Sequence, residues 1–205
     1  MPIQRVLKTN AVKATHIAAD AVGSSEIAAN AVGSSELDLT ANYDFTGTLT
    51  GTLGTLTNSG GVDVDGTIGA DFTSLPAGIK RIHVNLYRCS ASGSDTGALI
   101  RLGTSGGFVS SGYSSLSHWG GGGQSDTSGF YLYGTASTNA INGVATIINM
   151  GSDRFISSHS LMYNGSNGAF GGGYKDLGGT LDRLTVRLVS GGNFDFGRVN
   201  IIYEI

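Results

Sequence analysis

The sequence predicts an all-β protein: an antiparallel, jelly-roll-like β-sandwich head behind an N-terminal repetitive stalk, itself mostly irregular with short helical turns. Three observations predict it. Glycine is abundant, at 34 residues, yet only Gly23 and Gly33 precede position 45. Before that position a ten-residue motif repeats. After about residue 76, short alternating apolar runs are separated by glycine, serine and asparagine. Glycine gives turns their positive φ at little steric cost, so many short strands joined by tight turns use much of it. With two prolines and no three-residue period, this glycine is not collagenous.

The chain divides into an attachment segment and repeat (1–45), a Thr/Gly-rich linker or neck (46–75) and the head (76–205). Three copies align from Ala11: A-V-K-A-T-H-I-A-A-D, A-V-G-S-S-E-I-A-A-N and A-V-G-S-S-E-L-D-L-T. Val12, Ile17, Val22, Ile27, Val32 and Leu37 recur at steps of five. Five residues turn a helix by about 500° and put strand side chains on alternate faces, so neither element gathers them into one stripe. Each copy is expected to break into one helical turn at Ser-Ser-Glu-Ile-Ala-Ala and an extended link. Serine suits the cap of that turn and glutamate its positive end. A thread of this kind cannot bury its own valines and isoleucines. Identical chains side by side, each giving one residue to every layer, would bury them.

From Tyr43 to Thr57 threonine and glycine alternate with leucine, which reads as extended chain. Nothing in the residues assigns it to stalk or head. In the head, Ile82, Val84 and Leu86 alternate with Arg81, His83, Asn85 and Tyr87, as Leu184, Val186 and Leu188 do with Arg183, Thr185 and Arg187. Further runs lie at Ala98–Leu102, Phe108–Leu116, Gly129–Tyr133, Val144–Met150, Phe155–Tyr163 and Arg198–Ile205. In the last, Val199, Ile201, Tyr203 and Ile205 share one face. Eight short strands between glycine turns point to an antiparallel sandwich, with the jelly roll as the eight-strand form.

Composition narrows the function. The net charge is −3 and no basic cluster exceeds Lys80-Arg81, which argues against nucleic-acid binding. Arg5 and Lys8 are followed by no apolar stretch of signal-peptide type, and no segment is apolar enough to insert into a membrane. Synthesis in a cytoplasm, with no secretory route, is the expectation. The single cysteine, Cys89, reads as a small, partly buried residue rather than a nucleophile.

Catalytic patterns are weak. Ser158-His159-Ser160 is a run of neighbours in a strand, where successive side chains point to opposite faces, so the histidine is not aimed at either serine. Gly120–Gly123 and Gly171–Gly173 lack the strand-to-helix setting of a phosphate cradle. Asp126, Asp153, Asp176 and Asp195 are not paired by any spacing into a glycosidase dyad. No catalytic residue, metal or cofactor is assigned. A binding surface is the better expectation: His118, Trp119, Gln124 and Asp126 on one glycine-rich connection (Ser117–Thr127), with Asn164, Asn167 and Tyr174 on another (Asn164–Tyr174). Trp119 reads equally as a core or interface anchor. Asn164-Gly165-Ser166 reads as a turn.

The stalk copies of form A-V-x-x-x-x-I-A-x-x resemble tail-fibre and related virion appendage proteins of tailed bacteriophages. So do T-S-L-P-A-G-I-K-R-I (Thr73–Ile82), R-L-G-T-S-G-G-F-V-S-S-G-Y (Arg101–Tyr113) and F-D-F-G-R-V-N-I-I-Y-E (Phe194–Glu204). The resemblance implies a homotrimer whose N-terminal end docks on other virion proteins and which carries a distal head. The aromatic, amide and carboxylate groups of the two connections make a host cell-surface glycan the expected ligand of that head. The expected location is the virion, and the expected role structural, not enzymatic. A capsid or neck decoration protein is the alternative. A polysaccharide depolymerase would need the missing acid pair, and a secreted lectin or cytokine-like trimer the missing signal.

Overall fold

The computed structural model describes residues 56–93, 96–135, 138–163, 165 and 167–205. The six expected stalk layers, Val12, Ile17, Val22, Ile27, Val32 and Leu37, lie outside the described residues. So does the helical-turn reading of the repeat.

Among the described residues the regular structure is all strand. The elements are β1 (Leu56–Asp63), β2 (Gly69–Phe72), β3 (Arg81–Ala91), β4 (Thr96–Thr104), β5 (Gly107–Phe108), β6 (Tyr113–Trp119) and β7 (Gly122–Asp126). Then follow β8 (Phe130–Thr135), β9 (Ile141–Asn149), β10 (Arg154–Tyr163), β11 (Asn167–Asp176), β12 (Arg183–Leu188) and β13 (Phe194–Glu204). They form an eight-stranded sheet, in the order β1-β13-β3-β9-β10-β11-β6-β7, and a five-stranded sheet, β2-β12-β4-β5 with β8 also on β4. The pairings are antiparallel.

Alternation decides what each strand buries. Ile82, Val84 and Leu86 of β3 and Leu184, Val186 and Leu188 of β12 are buried, and their charged neighbours are not. Ala145 and Ile147 of β9, Phe155 and Leu161 of β10, and Val199 and Ile201 of β13 meet Ala98, Ile100 and Leu102 of β4 and Phe130 and Leu132 of β8 in one core. The two sheets thus share a single apolar interior. Tyr203 is only partly buried and Ile205, past the end of β13, is exposed, so the last positions of the expected face leave the core.

Two strands arise within the stretch expected to be a linker or neck. β1 pairs with β13 and β2 with β12, and Val64, Ala70 and Phe72 are buried in the core. Their short apolar pattern, two or three residues among glycine and aspartate, is too brief to show as a run. Glycine-rich stretches read as turns also carry strands: Gly122 and Gly123 open β7, and Gly171–Gly173 lie in the middle of β11.

A chain lacking residues 1–51 should therefore still melt cooperatively with β-rich circular dichroism. One lacking residues 1–73 should not. It loses an edge strand from each sheet and the buried Val64 and Phe72, each worth about 1.5–3 kcal/mol, out of a typical total of about 5–15 kcal/mol. Equal melting temperatures for the two truncations would contradict the role given to β1 and β2.

Candidate functional site

The two segments expected to carry ligand-binding residues do come together, because β11 pairs with β6 and β6 with β7. Phe170 lies opposite His118, and His118 opposite Gly123. They are paired strands, however, not loops, and strand alternation splits the set between two faces. His118 and Tyr174 are exposed on the outer face of the large sheet, with the His118 ring 6.1 Å from that of Phe170. Tyr174 lies opposite Ser114, four residues along β11 from Phe170, or about 13 Å away. Trp119 turns toward the core and meets Tyr133 edge-on at 5.2 Å, while Tyr133 stacks on Tyr163 at 3.9 Å. Gln124 accepts a hydrogen bond from Tyr131 Oη at 3.2 Å. Asp126 accepts from the Ser128 hydroxyl at 2.7 Å and from its N–H, closing the turn after β7. Asn167 opens β11 opposite Tyr163, and Asn164 lies outside the described residues. These side chains do not converge on one cavity.

A buried polar row crosses the same strands. Within Ser158-His159-Ser160 the histidine points inward and the serines outward, as alternation requires. His159 meets a different serine: its Nε2 is 2.9 Å from Ser117 Oγ, two strands away. Gly171 stands between them in register. A Cβ there would sit 2.8 Å from His159 Cε1, so the ring crosses the space a side chain would fill. The Ser117 hydroxyl donates to Leu132 O on the opposite sheet, which leaves its lone pairs for the His159 Nε2–H. The neighbouring inward serine, Ser115, accepts from Tyr131 N at 2.8 Å. These two serines hold the backbone of β8 where it slips its register with β4. The pair is not arranged as a nucleophile: it is buried, its hydroxyl hydrogen is engaged, and His159 Nδ1 has no partner among the described residues to orient it.

An accessible cavity lies at the other edge of the large sheet. It encloses about 370 Å³ between Asp63, Asp65, Tyr87, Phe196, Gly197 and Arg198. Irregular pairing creates it: β13 slips against β3 on both sides of Phe196, and β3 slips against β9 between Leu86 and Cys89. Bulges of this kind re-aim side chains. Phe194 and Phe196, two apart, would share a face in a regular strand; instead Phe194 is fully buried and Phe196 is 46% exposed. Gly197 makes this possible at φ 127°, where a Cβ would lie 2.6 Å from Cys89 Cα. Arg88 takes the left-handed φ of 52°, uncommon for a side-chain-bearing residue. Its N–H donates to Asn142 Oδ1 at 2.8 Å and its guanidinium lies 4.8 Å above the Phe196 ring. Arg198 pairs with Asp63 at 3.3 Å, whereas Asp65 has no ion pair among the described residues. Cys89 lies beneath, wholly buried, and burial pushes its thiol up to about 12, so it is structural and unreactive. The sequence signal for this cavity is a glycine inside an apolar strand run, Phe194-Asp195-Phe196-Gly197, which marks a bulge. Comparison with protein-family models, curated proteins and solved structures finds no match to the chain.

Burial lowers the His159 pKa to about 4, against about 6.5 in an unfolded chain. Above pH 6.5 neither state binds the proton and the full stability is present. Below it the unfolded chain takes up a proton that the folded chain refuses, so stability falls through the window from about 6.5 to about 4. Between pH 7 and 5 the loss should reach at most about 2 kcal/mol. His159→Gln should melt lower at pH 7 and show a flatter slope over that window; an unchanged slope would exclude His159 as its source.

Proposed function

We propose that the chain is a structural virion appendage, a short phage-type tail fibre, that docks by its N-terminal segment, forms a homotrimer and presents its head for host-surface binding without catalysis. The head fits a jelly-roll-like sandwich in the way its chain passes repeatedly between two antiparallel sheets around one core. The observation that carries the reading is the outer face of β9, β10, β11 and β6. Val144, Ile148, Ile156, Phe170, Tyr174 and Leu116 stand exposed there, Phe170 at 64%. Between them lie Thr146, Ser158, Ser160 and Gly172, and no carboxylate, lysine or arginine. The Arg154–Asp176 ion pair rims it at one end.

Four strands about 4.8 Å apart and about 20 Å of each make this face roughly 400 Å² in all, within the range of the largest patches on protein surfaces, which are often contact sites. The five-step repeat calls for cover by identical chains on independent grounds, and a largely apolar face without carboxylate, lysine or arginine suits the same arrangement. Native mass spectrometry of the full chain should give a trimer. Ile156→Lys combined with Phe170→Lys places charge on the face without touching the core, so it should weaken association of the heads while leaving the melt of the head cooperative. A monomeric parent chain at micromolar concentration would overturn the reading.

A further inference from the structure

We propose that the cavity at the β3–β13 bulges binds a neutral saccharide, a pyranose unit of a surface glycan. The proposal rests on the reading of the head as a host-surface module and names the site and ligand class that reading leaves open. The cavity, about 370 Å³, falls in the range of small-molecule sites, roughly 300–1,000 Å³. Tyr87, 62% exposed, and Phe196 offer aromatic surface to solvent beside two carboxylates and an arginine. That combination matches a sugar ring, which has apolar C–H faces and a rim of hydroxyl donors and acceptors. Arg88, seated over one face of Phe196, limits the motion of that ring before any ligand arrives.

The charges decide between ligand classes. Asp63, Asp65 and Arg198 line the cavity and Arg88 stands behind the Phe196 ring, so the lining holds no excess of positive charge to select a phosphate or an acidic sugar. Its one excess carboxylate, with no second unpaired acid beside it to share a cation, is left to accept from hydroxyls. Arg198 is already engaged by Asp63, and the carboxylate of Asp65 remains free to accept from hydroxyls. The charged lining also sets this cavity apart from the apolar face of β9, β10, β11 and β6, so a second copy is the poorer occupant. The backbone supports a built site. A regular β3–β13 pair would need neither the left-handed Arg88 nor a glycine at 197, and a side-chain-bearing residue held in that conformation is often found at binding sites.

The test is saturation-transfer NMR on the full chain with methyl glycosides of glucose, galactose, mannose and N-acetylglucosamine, with methyl glucuronide and choline as charged controls. At least one neutral glycoside should receive transfer at its ring C–H protons. Tyr87→Ala and Phe196→Ala should each weaken that binding about tenfold, the scale of one aromatic contact. Asp65→Asn should weaken it, and Ile156→Lys should not. Cys89, protected from a thiol reagent in each variant, reports that the structure under the cavity is intact. Transfer to no neutral glycoside, transfer only to the charged probes, or binding unchanged in both aromatic variants would overturn the proposal. Mass measured on the same samples separates this outcome from the fibre reading. A monomer that binds sugar upholds the cavity and removes the fibre, and a trimer that ignores every glycoside does the reverse.

Discussion

The pairing of β13 between β1 and β3 is the interaction on which most of the head depends. It joins the two ends of the described chain, sets Val199 and Ile201 into the core, and gives β1 its one ladder among the described residues. A one-residue slip of this strand would turn both residues to solvent, so the buried alternation fixes the register. The two register breaks around Phe196 are then tolerated only because apolar pairs hold the ladder on either side: Phe194 opposite Ala91, and Val199 opposite Leu86. The cavity opens at those breaks. Local irregularity can be kept for recognition where the surrounding strand is firmly placed.

The opposite edge of the large sheet solves a different problem. β8 departs from regular pairing with β4, and its backbone groups would otherwise sit in the core without partners, a loss of about 1–3 kcal/mol each. Ser115 and Ser117 supply those partners from the facing sheet, and His159 in turn donates to Ser117. The histidine reaches that serine because Gly171 has no side chain. The same glycine run leaves the outer face of β11 low around Gly172, between Phe170 and Tyr174. One short glycine stretch therefore serves the buried polar row on one side of the strand and the shape of the exposed face on the other.

The all-β class and the antiparallel pairing were legible because period-2 alternation is a local signal: Ile82, Val84 and Leu86, or Leu184, Val186 and Leu188, declare their inward face without any knowledge of partners. Strands whose inward residues are small or polar were not legible. β11 buries Ala169 and Lys175 around glycines, and β6 buries Ser115 and Ser117, which only a facing backbone explains. The described members of the expected ligand group lie on two faces for the same reason. His118 and Trp119 are neighbours in sequence, and once their segment is a strand rather than a loop they belong to opposite faces. The cavity at Tyr87 and Phe196 needed long-range register breaks between strands more than a hundred residues apart, which no local pattern reports.

The two surfaces proposed for association and for ligand lie toward opposite edges of one sheet, and their chemistry keeps them apart. Copies meeting through the uncharged face of β9, β10, β11 and β6 would cover apolar side chains and strand no charge. The β1–β13–β3 edge, with Asp63, Arg198, Arg88 and Asp65, would be costly to dehydrate and so stays with solvent. An assembly built this way would present one cavity per copy on its periphery. A single sugar unit buries little area and binds weakly, so recognition of a repetitive glycan would come from simultaneous engagement by several copies. On that proposal, weak individual sites and copies held side by side would complement each other.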